Sequence, residues 1–371
     1  MFSIFSTVIL YNAVFILAFA LCSIGEKTHE KSYTIWAYII ISVLSAIRYD
    51  IGADYDGYTL VIETIANDFR QYGFNIISVY KGIRGFEPGI IVFSSLFSYA
   101  SNPQVWVVAL YSVLTMALLY RAMEKYNAHK WGLLMFFLSG LLFTIWDVMR
   151  QGLALAILLN SLPCIKEKKI LNFFLLVGLA SMVHYSAFLF SGAYFIGLIK
   201  IKKRVSIAIC LSLFVLAEFG ILTSLNGFLV SITPFYSDIY TAEGLNTTMT
   251  YHDLSYIFNA FFLISLIYML PESDGALSNV IMVGTAIHII AGGLLNIDRI
   301  GYYYSSFQLF AVPLIIKQNQ TLFKRVLLYS CLSALFVLCN IHIWSQTYKG
   351  CSPYETVFSE EFQRKQFRDD Y

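Results

Sequence analysis

Charge is scarce in this sequence. Asp, Glu, Lys and Arg make up 13% of its 371 residues, where a soluble domain carries roughly 25%. With 58% hydrophobic residues and a mean hydropathy of +0.67, that shortage excludes a soluble globular chain and predicts a polytopic membrane protein. A net charge of +2 leaves no basic surface for nucleic acid, and none is expected as a partner. Chemistry-bearing signatures are missing too. There is no HExxH, no phosphate-binding Walker loop and no GxSxG. Six cysteines show neither metal-ligand nor disulfide spacing. Five lie in or beside apolar runs and read as small buried hydrophobes; Cys351 alone lies in a polar segment. "DIGADYDG" opens like an oxygen-ligand calcium loop, but the rest of that pattern is absent. No cofactor or metal is therefore expected. The N-terminal "MFSIFSTVILYNAVFILAFALC" lacks a basic start and a small-residue cleavage site, so it reads as a retained helix.

Long apolar runs are what the chain does have. A spanning helix needs about 20 mostly apolar residues. By that measure the fold is all-α, with about twelve transmembrane helices over 2–22, 33–48, 103–121, 131–147, 149–163, 169–183, 185–199, 205–222, 255–270, 279–295, 300–316 and 325–342. No repeat or linker divides it, which predicts one integral-membrane domain over 1–371. The short loops "GEKTHEKS", "RAMEKYNAHK", "KEKK", "KIKKR" and "KQNQTLFKR" are basic, and Lys and Arg concentrate on the cytoplasmic side. That places both termini outside. "FEPGIIVFSSLFSYASNP" is too short to cross without inverting the later loops, so Glu87–Ser101 is expected as a juxtamembrane helix on the outer face. A second amphipathic helix is expected over Tyr58–Arg70. The outer pieces are then 49–102, 223–254 and the tail 343–371.

This topology brings distant ionisable residues to one side and one depth. They are Arg48, Asp50 and Asp54; Glu87; Asp147 and Arg150; His184; and Asp298 and Arg299. Charges in membrane proteins are costly and usually face a polar cavity. Each also has a plainer reading. Arg48 can snorkel to headgroups. Asp147 and Arg150, three apart, can pair with each other. Asp298 and Arg299 can cap a turn, and His184 can be an ordinary helix-end residue. His288, in mid-span, reads as structural, and Glu218 stays undecided.

Three arginines and a histidine facing outward suit an anion, because guanidinium groups bind phosphate in a bidentate way. No nucleotide pool exists outside, so a phosphorylated donor there must be carried by lipid. Sugar transfer from it needs a base for the attacking hydroxyl and fixed cations for the leaving pyrophosphate. In "AIRYDIGADYDGYTLV" the second span ends at Arg48, a phosphate-binding cation. Gly52 turns the chain and Asp54 follows as candidate base. Tyr55 and Tyr58 line the sugar side.

At these residues the chain resembles the EpsG family of exopolysaccharide proteins, a branch of the Wzy-type O-antigen and capsule polymerases. The resemblance rests on "RYDIGADYDGY", "FEPG", "RQGLALAI", "VHYSAF" and "DRIGYYYS", in that order, along about residues 45–315. Where the family often has Gly-Thr-Asp, this chain has Gly52-Ala53-Asp54. The resemblance implies an inner-membrane polymerase of undecaprenyl-pyrophosphate-linked oligosaccharide units, active at the periplasmic face, with a chain-length regulator as a possible partner. It puts Arg48, Asp54, Tyr55, Tyr58, Glu87, Arg150, Gln151, His184 and Arg299 on the family's pattern. The layout is also similar to GT-C glycosyltransferases, at the level of the fold. The expected roles are Asp54 as base with Glu87 or His184 in reserve, and Arg150 and Arg299 on the pyrophosphate with Arg48 assisting. Tyr55, Tyr58 and Gln151 contact sugar. The reaction is expected to be metal-independent and inverting. The rival readings are a flippase, an acyltransferase and an O-antigen ligase.

Overall fold

The computed structural model describes residues 2–73, 86–220, 254–292, 295–318, 321–346, 350–359 and 362. It is 81% helix and holds no strand among these residues. In chain order the helices are α1 (Ile4–Thr28), α2 (Lys31–Ala46), α3 (Tyr55–Tyr72), α4 (Pro88–Leu96), α5 (Pro103–Lys125), α6 (His129–Leu138), α7 (Leu141–Asp147) and α8 (Met149–Leu159). There follow α9 (Leu162–Lys166), α10 (Ile170–Val183), α11 (Gly192–Leu198), α12 (Lys203–Glu218), α13 (Leu254–Met269), α14 (Gly275–Ala291), α15 (Leu295–Ser305), α16 (Gln308–Lys317) and α17 (Leu322–Trp344). Three-residue-per-turn helices join some of them, at Tyr185–Ser191 and Glu272–Asp274. The chain divides into two compact units. The first holds Met1–Ser161, Phe174–Phe188 and Arg325–Tyr371; the second holds Leu162–Phe173 and Leu189–Lys324.

Among the described residues, four helices are long and apolar enough to cross a membrane: Ile4–Thr28, Pro103–Lys125, Glu272–Ala291 and Leu322–Trp344. A fifth span exists if α6 and α7 count as one, bent by 63°. The bend falls at Ser139-Gly140, where Gly140 takes a left-handed φ of 71° and restarts the helix. Other expected spans are shorter helices. The run expected over 149–163 breaks at Asn160, whose amide donates to the carbonyls of Leu118 and Ala156. The run expected over 300–316 is divided between α15 and α16. Hydropathy averaged over a span-length window does not register where a turn or a side-chain hydrogen bond interrupts a helix. The outward faces of α1 and α17 expose large hydrophobics such as Phe5, Ile16, Val326 and Ile341, as lipid-facing helices do.

Within the first unit, α3 is amphipathic. Tyr55, Tyr58, Ile62, Ile65, Ala66 and Phe69 are buried at helical spacing. It extends the helix expected over 58–70 by about a turn at its start. The juxtamembrane helix expected over 87–101 is α4, nine residues long. At 1.5 Å per residue it covers about 13 Å and cannot cross a bilayer. The loops "GEKTHEKS" and "RAMEKYNAHK" meet at one end, where Lys31 pairs with Glu124 (2.5 Å) and Lys130 with Glu26 (3.1 Å). In the second unit the other basic loops gather around "PESD": Lys166 pairs with Asp274 (2.5 Å) and Lys203 with Glu272 (3.7 Å). Lys324 sits over the Tyr268 ring there (5.1 Å). Each unit therefore collects its basic loops at one end.

The chain after α17, expected as an outer tail, packs within the first unit. Cys351 and Tyr354 are 1% exposed. Tyr354 donates from its phenol to Leu44 O (2.6 Å), and Tyr11 donates to Cys351 O (2.5 Å). Backbone bonds from Tyr49 N to Glu355 O and from Val357 N to Ile47 O tie the segment to the end of α2. A short polar stretch with no periodicity carries no local signal of burial. Of the outer loop expected over 223–254, all but Leu254 lies outside the described residues.

Candidate active site

"FEPG" builds the first part of the site. A residue before proline is held extended, and Glu87 has φ −70°, ψ 149°. Pro88 then opens α4, where its missing N–H costs nothing. Gly89 lets this helix start press against the end of α10. A Cβ there would stand 3.1 Å from Val183 Cα and 3.2 Å from Met182 O. The next residue after that helix is His184, and Glu87 meets it.

Glu87 is 3% exposed and its two oxygens serve different partners. Oε1 lies 2.7 Å from His184 Nδ1 and accepts from Tyr185 N–H at 3.4 Å. Oε2 accepts from Arg150 Nη1. The Arg150 guanidinium lies over the rings of Tyr58 (5.2 Å) and Phe86 (5.6 Å). Three elements far apart in sequence thus converge on one carboxylate. Burial works against the charged form of Glu87. The His184 hydrogen bond and the Arg150 charge outweigh it and hold the carboxyl below its ordinary value of 4.5. Because the folded value is depressed, the ionised group stabilises the fold fully above pH 4.5, and that stability is lost as pH falls through the lower, folded value. Acid unfolding of the wild type should therefore show a slope below pH 4.5 that Glu87→Gln flattens. Identical acid profiles for the two proteins would count against this coupling.

The exit from α2 forms a second part. Gly52 has φ +106°, which L-residues other than glycine rarely adopt, and its position for a Cβ is 2.8 Å from Asp147 Cα. Asp147 accepts from Ala53 N–H at 2.7 Å, so it serves the turn before α3 while Arg150 serves Glu87. Asp54 begins α3, half-buried, and its carbonyl accepts from Tyr58 N–H at 3.0 Å. Tyr55 is buried edge-on to Tyr49 (5.9 Å), and that burial pushes its phenol up to about 12. Gln151 is buried in α8. Arg48 is 2% exposed; its Nη1 donates to Ser45 O and Ser112 Oγ, and its guanidinium lies 5.9 Å from the Trp146 ring. It caps the carbonyl end of α2, where a cation is favoured. Among the described residues no three His, Cys, Asp or Glu side chains converge as metal ligands.

In the second unit, Asp298 and Arg299 stand together on α15. Asp298 Oδ1 lies 2.9 Å from His288 Nδ1, and His288 Nε2 is 3.3 Å from Tyr256 O. His288 thus has a partner that the linear sequence did not suggest. The two residues are ten apart, across the turn between α14 and α15. Tyr111, 1% exposed on α5, was also missed; an aromatic inside an apolar run reads as packing.

No curated protein and no solved structure matches this chain. The EpsG family model matches residues 31–356. That range takes in every candidate residue from Arg48 to Arg299 and reaches the segment bound to the end of α2. The chain belongs to the EpsG family, the Wzy-type polymerase-like exopolysaccharide proteins.

Proposed function

We propose that this protein is a polysaccharide polymerase that joins undecaprenyl-pyrophosphate-linked oligosaccharide units at the periplasmic face of the inner membrane, through about twelve membrane crossings in a GT-C-like arrangement. The observation that carries the reading is the convergence of Arg150 and His184 on Glu87. It supplies, at one buried point, the cation and the base that transfer from a lipid pyrophosphate needs. A hydroxyl of one lipid-linked unit attacks the anomeric carbon of the other unit's reducing-end sugar. The bond to pyrophosphate oxygen breaks and the carbon inverts in a single displacement. Undecaprenyl pyrophosphate leaves. The proton goes to His184 Nε2, which has no hydrogen-bond partner among the described residues. Glu87 holds Nδ1–H and stabilises the imidazolium that forms. Arg150, whose Nε makes no hydrogen bond, is assigned to the leaving phosphate. Tyr58, beneath the Arg150 guanidinium, orients it beside the sugar. The arginines take the part a metal ion plays in other glycosyl transfers. Arg299 is assigned as a second phosphate-binding arginine. Arg48, buried and turned to Ser45 and Ser112, acts through the scaffold. A separate protein that sets chain length is compatible with this role.

Asp54 is the competing base, since it is half-buried at the start of α3 and one turn before Tyr58. A deletion strain complemented with variants separates the two. Deletion is expected to collapse the surface glycolipid ladder to core plus one repeat. His184→Gln should leave the ladder collapsed, with loss of about 10²–10⁴ in rate, whereas Asp54→Asn should restore it. A restored ladder in His184→Gln and a collapsed one in Asp54→Asn would transfer the base role to Asp54. Loss of all repeat units from the surface on deletion would favour the flippase or ligase.

A further inference from the structure

Arg48 lacks a counter-charge. It is 2% exposed, and no carboxylate among the described residues lies within ion-pair distance of it. Its Nε makes no hydrogen bond. On α5 the Tyr111 phenol, 1% exposed, has no hydrogen-bond partner either. Both side chains line one cavity of about 10 Å³, together with Ser112, Thr115 and Trp146. All of it lies within the first unit.

The size and chemistry of this cavity restrict what it takes. A space of about 10–15 Å³ admits one water-sized particle, so phosphate, sulfate and carboxylate groups are too large. A guanidinium N–H can only donate, and the phenol and the Thr115 hydroxyl can donate as well. The end of α2 offers Arg48 roughly half a unit of negative charge, and the rest is uncompensated. Burying an unneutralised charge costs several kcal/mol. A water molecule would meet the hydrogen bonds and leave the charge. A monatomic anion meets both, and the flexible Met116 and Met149 side chains on the cavity wall allow for its slightly larger radius.

We propose that this cavity is a halide site, in which one chloride ion accepts from Arg48 Nε–H and Tyr111 O–H and neutralises the arginine that closes α2. The full-length protein in detergent tests it, with bromide as the probe. Crystals grown in sodium bromide should show an anomalous peak between Arg48 and Tyr111. In parallel, the unfolding midpoint should rise by several degrees on exchanging gluconate for chloride or bromide at equal ionic strength, and then saturate. Tyr111→Phe removes only a hydroxyl, and the halide concentration for half the shift should rise about tenfold, as for one lost bond to a charged group. A water peak without anomalous signal at this position overturns the proposal. So do equal midpoints in all three salts.

Discussion

Arg150→Ala is expected to abolish polymer while leaving glycolipid capped with a single repeat unit. Two effects act together. The leaving pyrophosphate loses a fixed donor, and removal of one such donor costs about 10²–10³ in rate. Glu87, 3% exposed, also loses its cation. Breaking a buried pair from one side costs about 3–5 kcal/mol, because the remaining charge stays buried. A glycolipid gel with an immunoblot for protein level reads the first effect against the second. The double variant Arg150→Ala/Glu87→Gln removes the stranded charge. If Arg150 serves only to neutralise Glu87, the double variant makes as much polymer as Glu87→Gln alone. If Arg150 acts on phosphate, protein level recovers and polymer falls below that of Glu87→Gln alone. Arg150→Lys should be partly active, since an ammonium keeps the charge and loses the planar fork that reaches two acceptors.

Gly52→Ala is expected to remove most folded protein, although it adds a single methyl group. That methyl would lie 2.8 Å from Asp147 Cα and 2.9 Å from Trp146 O, both backbone atoms without a rotamer to yield. The backbone at φ +106° adds its own cost for a side chain. Relief requires the exit of α2 to move off the end of α7, which breaks the 2.7 Å bond from Ala53 N–H to Asp147. A loss of about 2–4 kcal/mol or more follows from strain of this kind. Gly57→Ala, five residues later on α3, is the control. Nothing stands within 4 Å of its Cβ position, and alanine in a helix interior is favoured by about 0.5–1 kcal/mol. Thermal midpoints and detergent yields of the two variants should differ sharply. A wild-type midpoint for Gly52→Ala would sink this account of the turn.

Some of the site was readable along the chain. "FEPG" carries its geometry in its residue types, because proline holds Glu87 extended and glycine permits a close approach. The buried face of α3 repeats at helical spacing, so its existence was evident, and its start at Tyr55 was missed by three residues against the expected Tyr58. Asp147 and Arg150, read as a possible i, i+3 pair, instead face different partners, because the helix breaks at Val148 between them. His288, read as structural, showed no partner along the chain; Asp298 on α15 meets it in the folded protein.

Hydropathy was enough to make this an all-helical membrane protein, and the charges of the short loops set the basic loops apart from the rest. Those properties follow from solvation, which acts on each residue according to its own type. The two units emerged only in the folded chain. Where helices break, what Glu87, Arg48 and His288 face, and whether residues 350–359 lie buried depended on the folded chain. Each is a contact between residues distant in sequence, and its free energy comes from burial and hydrogen-bond geometry that no local pattern encodes.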